Sequence, residues 1–221
     1  MSIIEKVIDE YLKISTERDV DRGQPGRELY SPYVPTSYQF LETLFDKIPF
    51  EEGDHLVDFG CGKGRVLFMA ALNSCKQVTG YEIDEELCEI LDENINNFQQ
   101  KFGKGTIFNI RRDVLKMESD EIRDANKFFF FHPFHLKILI PVIKKILKSI
   151  EDNPRQISIY FFRPYKSIVG YMDSLNEVGR VLSGDLRFYS SENESIQEAP
   201  QVYVYSNQNI KLGVDEYSFS L

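Results

Sequence analysis

Residues 57–64 read Val-Asp-Phe-Gly-Cys-Gly-Lys-Gly, an apolar run that passes without a break into three alternating glycines. His55, Leu56, Val57 and Phe59 supply a β-favouring stretch. Gly60, Gly62 and Gly64 then let the backbone turn sharply and come close to a ligand with no Cβ in the way. From Lys63 to Asn73, Val66, Leu67, Ala70 and Ala71 fall on one helical face, so a helix follows at once. The unit is strand, glycine turn, helix, which points to a nucleotide-like ligand.

Spacing narrows the ligand. A P-loop needs Gly-Lys followed by a hydroxyl residue that reaches magnesium, whereas Lys63 is followed by Gly64 and Arg65. A dinucleotide fingerprint is Gly-x-Gly-x-x-Gly, and here the third glycine comes one residue early. Asp58 stands just before the first glycine, where a carboxylate repels a diphosphate and suits a cation. A nicotinamide-dependent oxidoreductase is disfavoured on both counts.

An acidic residue, a variable one and then Gly-x-Gly-x-Gly resembles the first motif of the class I, Rossmann-like S-adenosyl-L-methionine-dependent methyltransferases, and Asp58 to Gly64 matches it throughout. The resemblance extends over roughly 80 residues. Lys76 to Glu82 reads as a second strand closing on Glu82, 18 positions past Gly64; the family pattern implies that Glu82 binds both ribose hydroxyls of the cofactor. Arg112-Asp113-Val114 follows the strand-like run Thr106 to Ile110, and the resemblance sets Asp113 at the adenine edge, although an Asp after a strand is also ordinary turn chemistry. Phe128 to Phe134, reading FFFFHPF, is a strand that ends at the pocket rim. The resemblance thus implies cofactor contacts at Asp58, Gly60, Cys61, Gly62, Gly64, Glu82 and Asp113. Asp84 reads as the cap of the next helix, and Lys63 and Arg65 are expected to face solvent.

The rest of the chain alternates strands and helices. Helices are expected over Ser2 to Ser15, Ser37 to Lys47 with Thr36 or Ser37 as cap, Glu85 to Gln100, the segment after His135, and Ser167 to Leu175. A further strand is expected at Gln156 to Phe162. Paired strands at Arg180 to Tyr189 and Gln201 to Ser206 suit an antiparallel edge. The expected architecture is α/β, a Rossmann-like methyltransferase fold: a mostly parallel sheet with helices on both faces and an antiparallel C-terminal edge. Residues 1–50 would form N-terminal helices and a lid or strap, and residues 51–221 the cofactor-binding domain. The apolar stripe Ile3, Ile4, Val7, Ile8, Tyr11 and Leu12 is expected to dock on that domain.

The acceptor side is less sharply written. His132-Pro133-Phe134 resembles the Asn/Asp-Pro-Pro-aromatic signature of amino-group methyltransferases but has His first and one proline; His132 would orient or deprotonate an acceptor, with Phe134 beside it. Tyr30 to Tyr38, YSPYVPTSY, is stiffened by Pro32 and Pro35. It is similar to the Tyr-x-Pro-Thr stretch of some Rossmann-type protein-lysine methyltransferases, which puts Tyr33 and Thr36 at the cofactor and Tyr38 near the reaction. The expected function is methyl transfer to N or O of a protein side chain or small molecule, with a non-catalytic cofactor-binding protein as the alternative and a nucleic-acid methyltransferase as the less favoured one, left open by Lys137, Lys144, Lys145 and Lys148 on one helix. The net charge of −9 disfavours long nucleic acid as partner. Cys61, Cys75 and Cys88 lack metal-ligand spacing and read as reduced thiols of a cytoplasmic protein, and no apolar run of membrane-spanning length occurs.

Overall fold

The computed structural model describes residues 3–17, 29–111, 113–132, 134–185 and 201–208. Arg112, Pro133 and the end of the strand expected to reach Tyr189 lie outside them. Strands β1 (His55–Phe59), β2 (Gln77–Tyr81), β3 (Ile107–Arg111), β4 (Lys127–Phe131), β5 (Ser158–Phe162), β6 (Gly179–Asp185) and β7 (Gln201–Ser206) form one sheet in the order β3-β2-β1-β4-β5-β7-β6. The first five are parallel, and β7 runs antiparallel between β5 and β6. This is the expected mostly parallel sheet with an antiparallel edge.

Alternate strand residues feed two cores, as a pleated strand buried on both faces requires. On β4, Phe129 packs with Leu56, Val78 and Tyr160 beneath α1 (Ile3–Leu12), α2 (Tyr38–Lys47), α3 (Arg65–Leu72) and α4 (Glu85–Phe102). Phe128 and Phe130 point the other way, with Val57 and Ile159, onto α5 (Leu136–Asp152) and α6 (Lys166–Asp173). Just under the carboxyl ends on that second face, Tyr81, Phe59, Phe130 and Phe161 stack ring to ring at 5.3, 4.7 and 4.9 Å, and Tyr205 closes the row edge-on at 6.0 Å. The row crosses β2, β1, β4, β5 and β7. Offset and edge-on pairs of this kind add to burial the favourable ring quadrupole geometry.

One expectation holds only in part: of the apolar stripe of α1, Leu12 is buried and Ile8 packs against the first core, while the rest turns outward. In α1 the buried residues are Asp9 and Leu12, while Ile3 and Ile4 are 83% and 70% exposed and Val7 and Tyr11 also face outward. The helix docks by the side that carries Asp9, Ile8 and Leu12, because Asp9 has polar partners inside the domain.

The sheet positions the site through its topology. Chain order reverses between β1 and β4, so the connections leave on opposite faces and a crevice opens above the carboxyl ends of these strands. The glycine turn lies there.

Candidate functional site

Gly60, Gly62 and Gly64 all have positive φ, at 78°, 53° and 90°. The Gly60 and Cys61 amides both donate to Tyr81 O, at 2.8 and 3.1 Å, and Gly64 N closes the turn on Cys61 O at 2.9 Å. Gly62 N donates to Glu82 Oε2 at 2.9 Å. The other Glu82 oxygen accepts from the amides of Ile83 and Asp84, each at 2.8 Å. Asp84 then caps α4 through Oδ1, which accepts from Glu86 and Leu87 N. The glycine turn and the end of β2 are therefore one hydrogen-bonded unit.

A cavity of about 370 Å³ lies over this unit. Its β1–β2 half is acidic, with Asp58, Glu82 and Asp84 beside apolar Ile83, Leu87 and Val114. Asp58 is 3% exposed, and no donor or counter-ion reaches it among the described residues. Burial, and then the neighbouring Glu82, push its carboxyl well above the usual carboxylate range. Burial raises Glu82 as well, against the lowering effect of its three backbone donors. Burial followed by these two carboxylates drives the Cys61 thiol up, so it stays protonated and unreactive. Two buried acids with no cation in their own half of the cavity fit a positively charged ligand that also brings hydroxyl donors. The residues present thus suit S-adenosylmethionine, and no His, Cys, Asp and Glu group among the described residues suits a metal.

The β4–β5 half is aromatic: Phe129, Phe131, His132, Phe134 and Tyr165, with Arg163 at the rim. His132 and Arg163 follow neighbouring strands, and both hold the left-handed backbone, φ 43° and 51°. Strain of this kind at non-glycine residues is characteristic of functional sites. The His132 ring meets Tyr165 edge-on at 4.7 Å. Burial lowers the His132 pKa from its ordinary value.

The roof is the segment from Leu29 to Tyr38. Tyr30 pairs with Phe134 in an antiparallel bridge, and His135 N donates to Leu29 O at 2.7 Å. At the other end the Thr36 carbonyl accepts from Arg65 Nη1 at 3.0 Å. Between these anchors Tyr33 lies so close over the turn that a Cβ on Gly62 would stand 2.2 Å from its ring. Its hydroxyl donates to Thr16 O at 2.9 Å. The segment is a strap, anchored at both ends, that also covers the cavity.

Of the residues singled out by sequence, Asp58, Gly60, Glu82, Tyr33, Thr36, His132 and Phe134 line this cavity together. Gly62 and Gly64 shape the turn from behind. Cys61 is turned away from the cavity and packs under the loop, where a Cβ on Gly80 would come within 2.5 Å of its Sγ. Asp113 uses its carboxylate on Leu115 N at 2.9 Å, and its neighbour Val114 is the one that lines the cavity. Tyr38 is not brought to the cavity. It is buried, its hydroxyl donates to Asp9, and burial with that bond pushes its pKa up. Lys63 and Arg65, expected in solvent, are each 2% exposed. Lys63 Nζ donates to Glu17 O at 3.0 Å, and Arg65 enters the Asp9 cluster. Sequence reading missed Arg163 and Tyr165, whose only signal was their place just past a buried strand end.

A sequence profile of the histone methylation protein DOT1 family matches residues 29–180, well over half the chain. The chain is 28% identical over 134 residues to a ribosomal protein L11 methyltransferase of Thermotoga neapolitana, covering 60% of this chain and 48% of that one. It is 25% identical over 118 residues to a protein-lysine N-methyltransferase of Saccharolobus islandicus, covering 53% and 70%. The chain thus spans about half the length of the L11 methyltransferases it matches. A Streptococcus mutans protein assigned as a methyltransferase, solved in complex with S-adenosylhomocysteine, superposes with a TM-score of 0.53 at 12% identity, covering 78% of this chain and 99% of that one. The motif order, the sheet order and the matched profile agree: this chain belongs to the DOT1 histone methylation protein family and has the class I, Rossmann-like methyltransferase fold.

Proposed function

We propose that this protein transfers a methyl group from S-adenosyl-L-methionine to a side-chain nitrogen of a protein, within a wider class that includes oxygen and small-molecule acceptors. The observation that carries this reading is Asp58, a buried carboxylate without a counter-ion among the described residues, facing the same cavity as the aromatic half that bears His132. When bound, the cofactor supplies the activated methyl group. Glu82 takes the two ribose hydroxyls, the glycine turn admits the cofactor's backbone-close portion, and Val114 with Ile83 and Leu87 offers an apolar slot for the base beside Asp113. Tyr33 and Thr36 close over it.

On the other side His132, neutral near pH 7 because burial lowers its pKa, can take a proton from an ammonium acceptor. Tyr30, Phe134 and Tyr165 exclude water from the line of transfer, where proximity alone can supply several kcal/mol, of order 7–11 at best. The names of the family and of the L11 and protein-lysine methyltransferases support a protein acceptor, and an acidic chain complements a basic one. His132 in place of the usual Asn or Asp supports a second reading, a cofactor-binding protein without transfer.

The test is calorimetric titration with S-adenosylmethionine against reduced nicotinamide dinucleotide, followed by single-turnover transfer of labelled methyl to protein. Saturable binding of the sulfonium ligand alone and label in protein are expected. Label confined to nucleic acid would overturn the acceptor, and binding without any transfer would establish the second reading.

A further inference from the structure

Arg65 opens α3 one residue after Gly64, and its guanidinium is inside the molecule. Nε donates to Thr16 Oγ1 at 2.8 Å. Nη1 donates to Thr36 O at 3.0 Å and to Glu5 Oε1 at 3.1 Å, and Nη2 to Thr16 O at 3.3 Å. Its plane lies over Tyr38, 4.2 Å from the ring centroid. Asp9 Oδ1 is 3.8 Å from Nη2, and the Asp9 carboxylate accepts from Thr16 N at 2.7 Å, from Thr16 Oγ1 and from the Tyr38 hydroxyl. One side chain thus ties α1, the return at Thr16, the strap and the helix behind the glycine turn. A second clip works beside it. Asn94 of α4 bonds both the amide and the carbonyl of Ser15 and reaches Lys63 O at 3.0 Å.

A buried ion pair adds little stability over well-packed apolar side chains, so its value lies in the geometry it imposes. Here the geometry imposed is the height of the strap above the turn, since Thr36 is three residues from Tyr33 and Tyr33 rests on Gly62. The strap's other anchor, at Tyr30 and Phe134, belongs to the acceptor half. Of these two anchors, the Arg65 one reaches the helix that leaves the glycine turn, and between them Tyr33 rests on the turn and donates to Thr16 O.

We propose that Arg65 is a positioning residue: its cluster holds the strap closed over the cofactor half of the cavity, and opening of this cluster is the step by which cofactor enters and leaves. The ligand named here rests on the cofactor reading above; the latch itself does not.

The experiment follows chymotryptic cleavage of the Tyr33–Val34 bond by mass spectrometry, and S-adenosylhomocysteine dissociation by stopped flow, in the full chain. The variants are Arg65→Met, Arg65→Lys and the double variant Arg65→Met with Asp9→Asn, which leaves neither Arg65 nor Asp9 charged in the interior. Cleavage and dissociation are both expected to rise about tenfold or more in Arg65→Met and in the double variant, as expected when the open population rises by that factor. Arg65→Lys, with fewer donors and no fork, should fall between them and wild type. Wild-type rates of cleavage and dissociation in the double variant, with native circular dichroism, would overturn the latch. Failure of wild type to bind S-adenosylhomocysteine would instead overturn the cofactor reading, while the cleavage comparison would still decide the latch.

Discussion

The amide of Gly62 is bonded to the carboxylate of Glu82 at 2.9 Å, so the glycine turn after β1 and the acid after β2 are joined directly. Replacing Glu82 with Ala removes the acceptor of three backbone donors as well as the proposed ribose contact. Charge-assisted bonds of this kind are worth about 1.5–3 kcal/mol, so S-adenosylmethionine should bind about tenfold to a hundredfold more weakly by calorimetry. Wild-type affinity in Glu82→Ala would rule out the assignment.

The acidic half of the cavity sets a pH dependence. Asp58 and Glu82 are held above their ordinary carboxylate values, chiefly by burial. Between the unfolded and folded pKa values the native chain binds more protons than the unfolded one, so stability of the ligand-free protein should decline as pH rises out of the ordinary carboxylate range. A cation restores the ionised Asp58. Affinity for S-adenosylmethionine should therefore increase with pH over this window, while uncharged-sulfur S-adenosylhomocysteine should respond less. Asp58→Asn should raise the melting temperature and remove the difference between the two ligands; parallel pH profiles in wild type would refute the role given to Asp58.

His132 should separate binding from transfer. His132→Ala is expected to lower single-turnover transfer about a hundredfold, the lower end of general-base contributions, with cofactor affinity nearly unchanged. Because burial lowers the His132 pKa from 6.5, wild-type transfer should fall only as pH drops below the ordinary histidine range. A matching loss of affinity in the variant would make His132 structural.

Gly64 tests the turn. Its φ is 90°, and a Cβ there would lie 2.4 Å from Leu91 Cδ1. Gly64→Ala should destabilise the protein by about 1–3 kcal/mol in urea unfolding, from left-handed strain and the shift forced on the buried Leu91 side chain. Gly105, where a Cβ would meet nothing within 4 Å, is the control, and Gly105→Ala should change stability by less than about 1 kcal/mol. Equal effects at the two positions would remove the steric account of the turn.

The parallel sheet and the acidic half of the cavity were legible in the sequence because their signals are local. Val57 to Gly64 states strand, turn and helix within one reach of chain, and Glu82 closes the next strand. Asp113 was diverted locally, to Leu115 N, and the other misreadings concern side chains whose partners are distant. Lys63 and Arg65 look solvent-facing beside the turn, yet their acceptors are Glu17 O and Thr16, 46 and 49 residues away. The Ile3, Val7 and Tyr11 stripe has helical periodicity, but Asp9 decides which side docks because Arg65, Thr16 and Tyr38 wait for it. Tyr38 shares a short motif with Tyr33 and still faces the other way, since entry into α2 rotates it into this cluster.

The row of rings from Tyr81 to Tyr205 locks five strands at one level beneath the cavity. Those rings are buried and packed against one another, so the floor is the stiff part of the site, against which the roof and the β4–β5 rim can be retuned. Anyone redesigning the acceptor preference of this scaffold should leave the row alone and vary Tyr30, Val34, Arg163 and Tyr165, where changes in shape and charge alter the entrance without tilting the platform below.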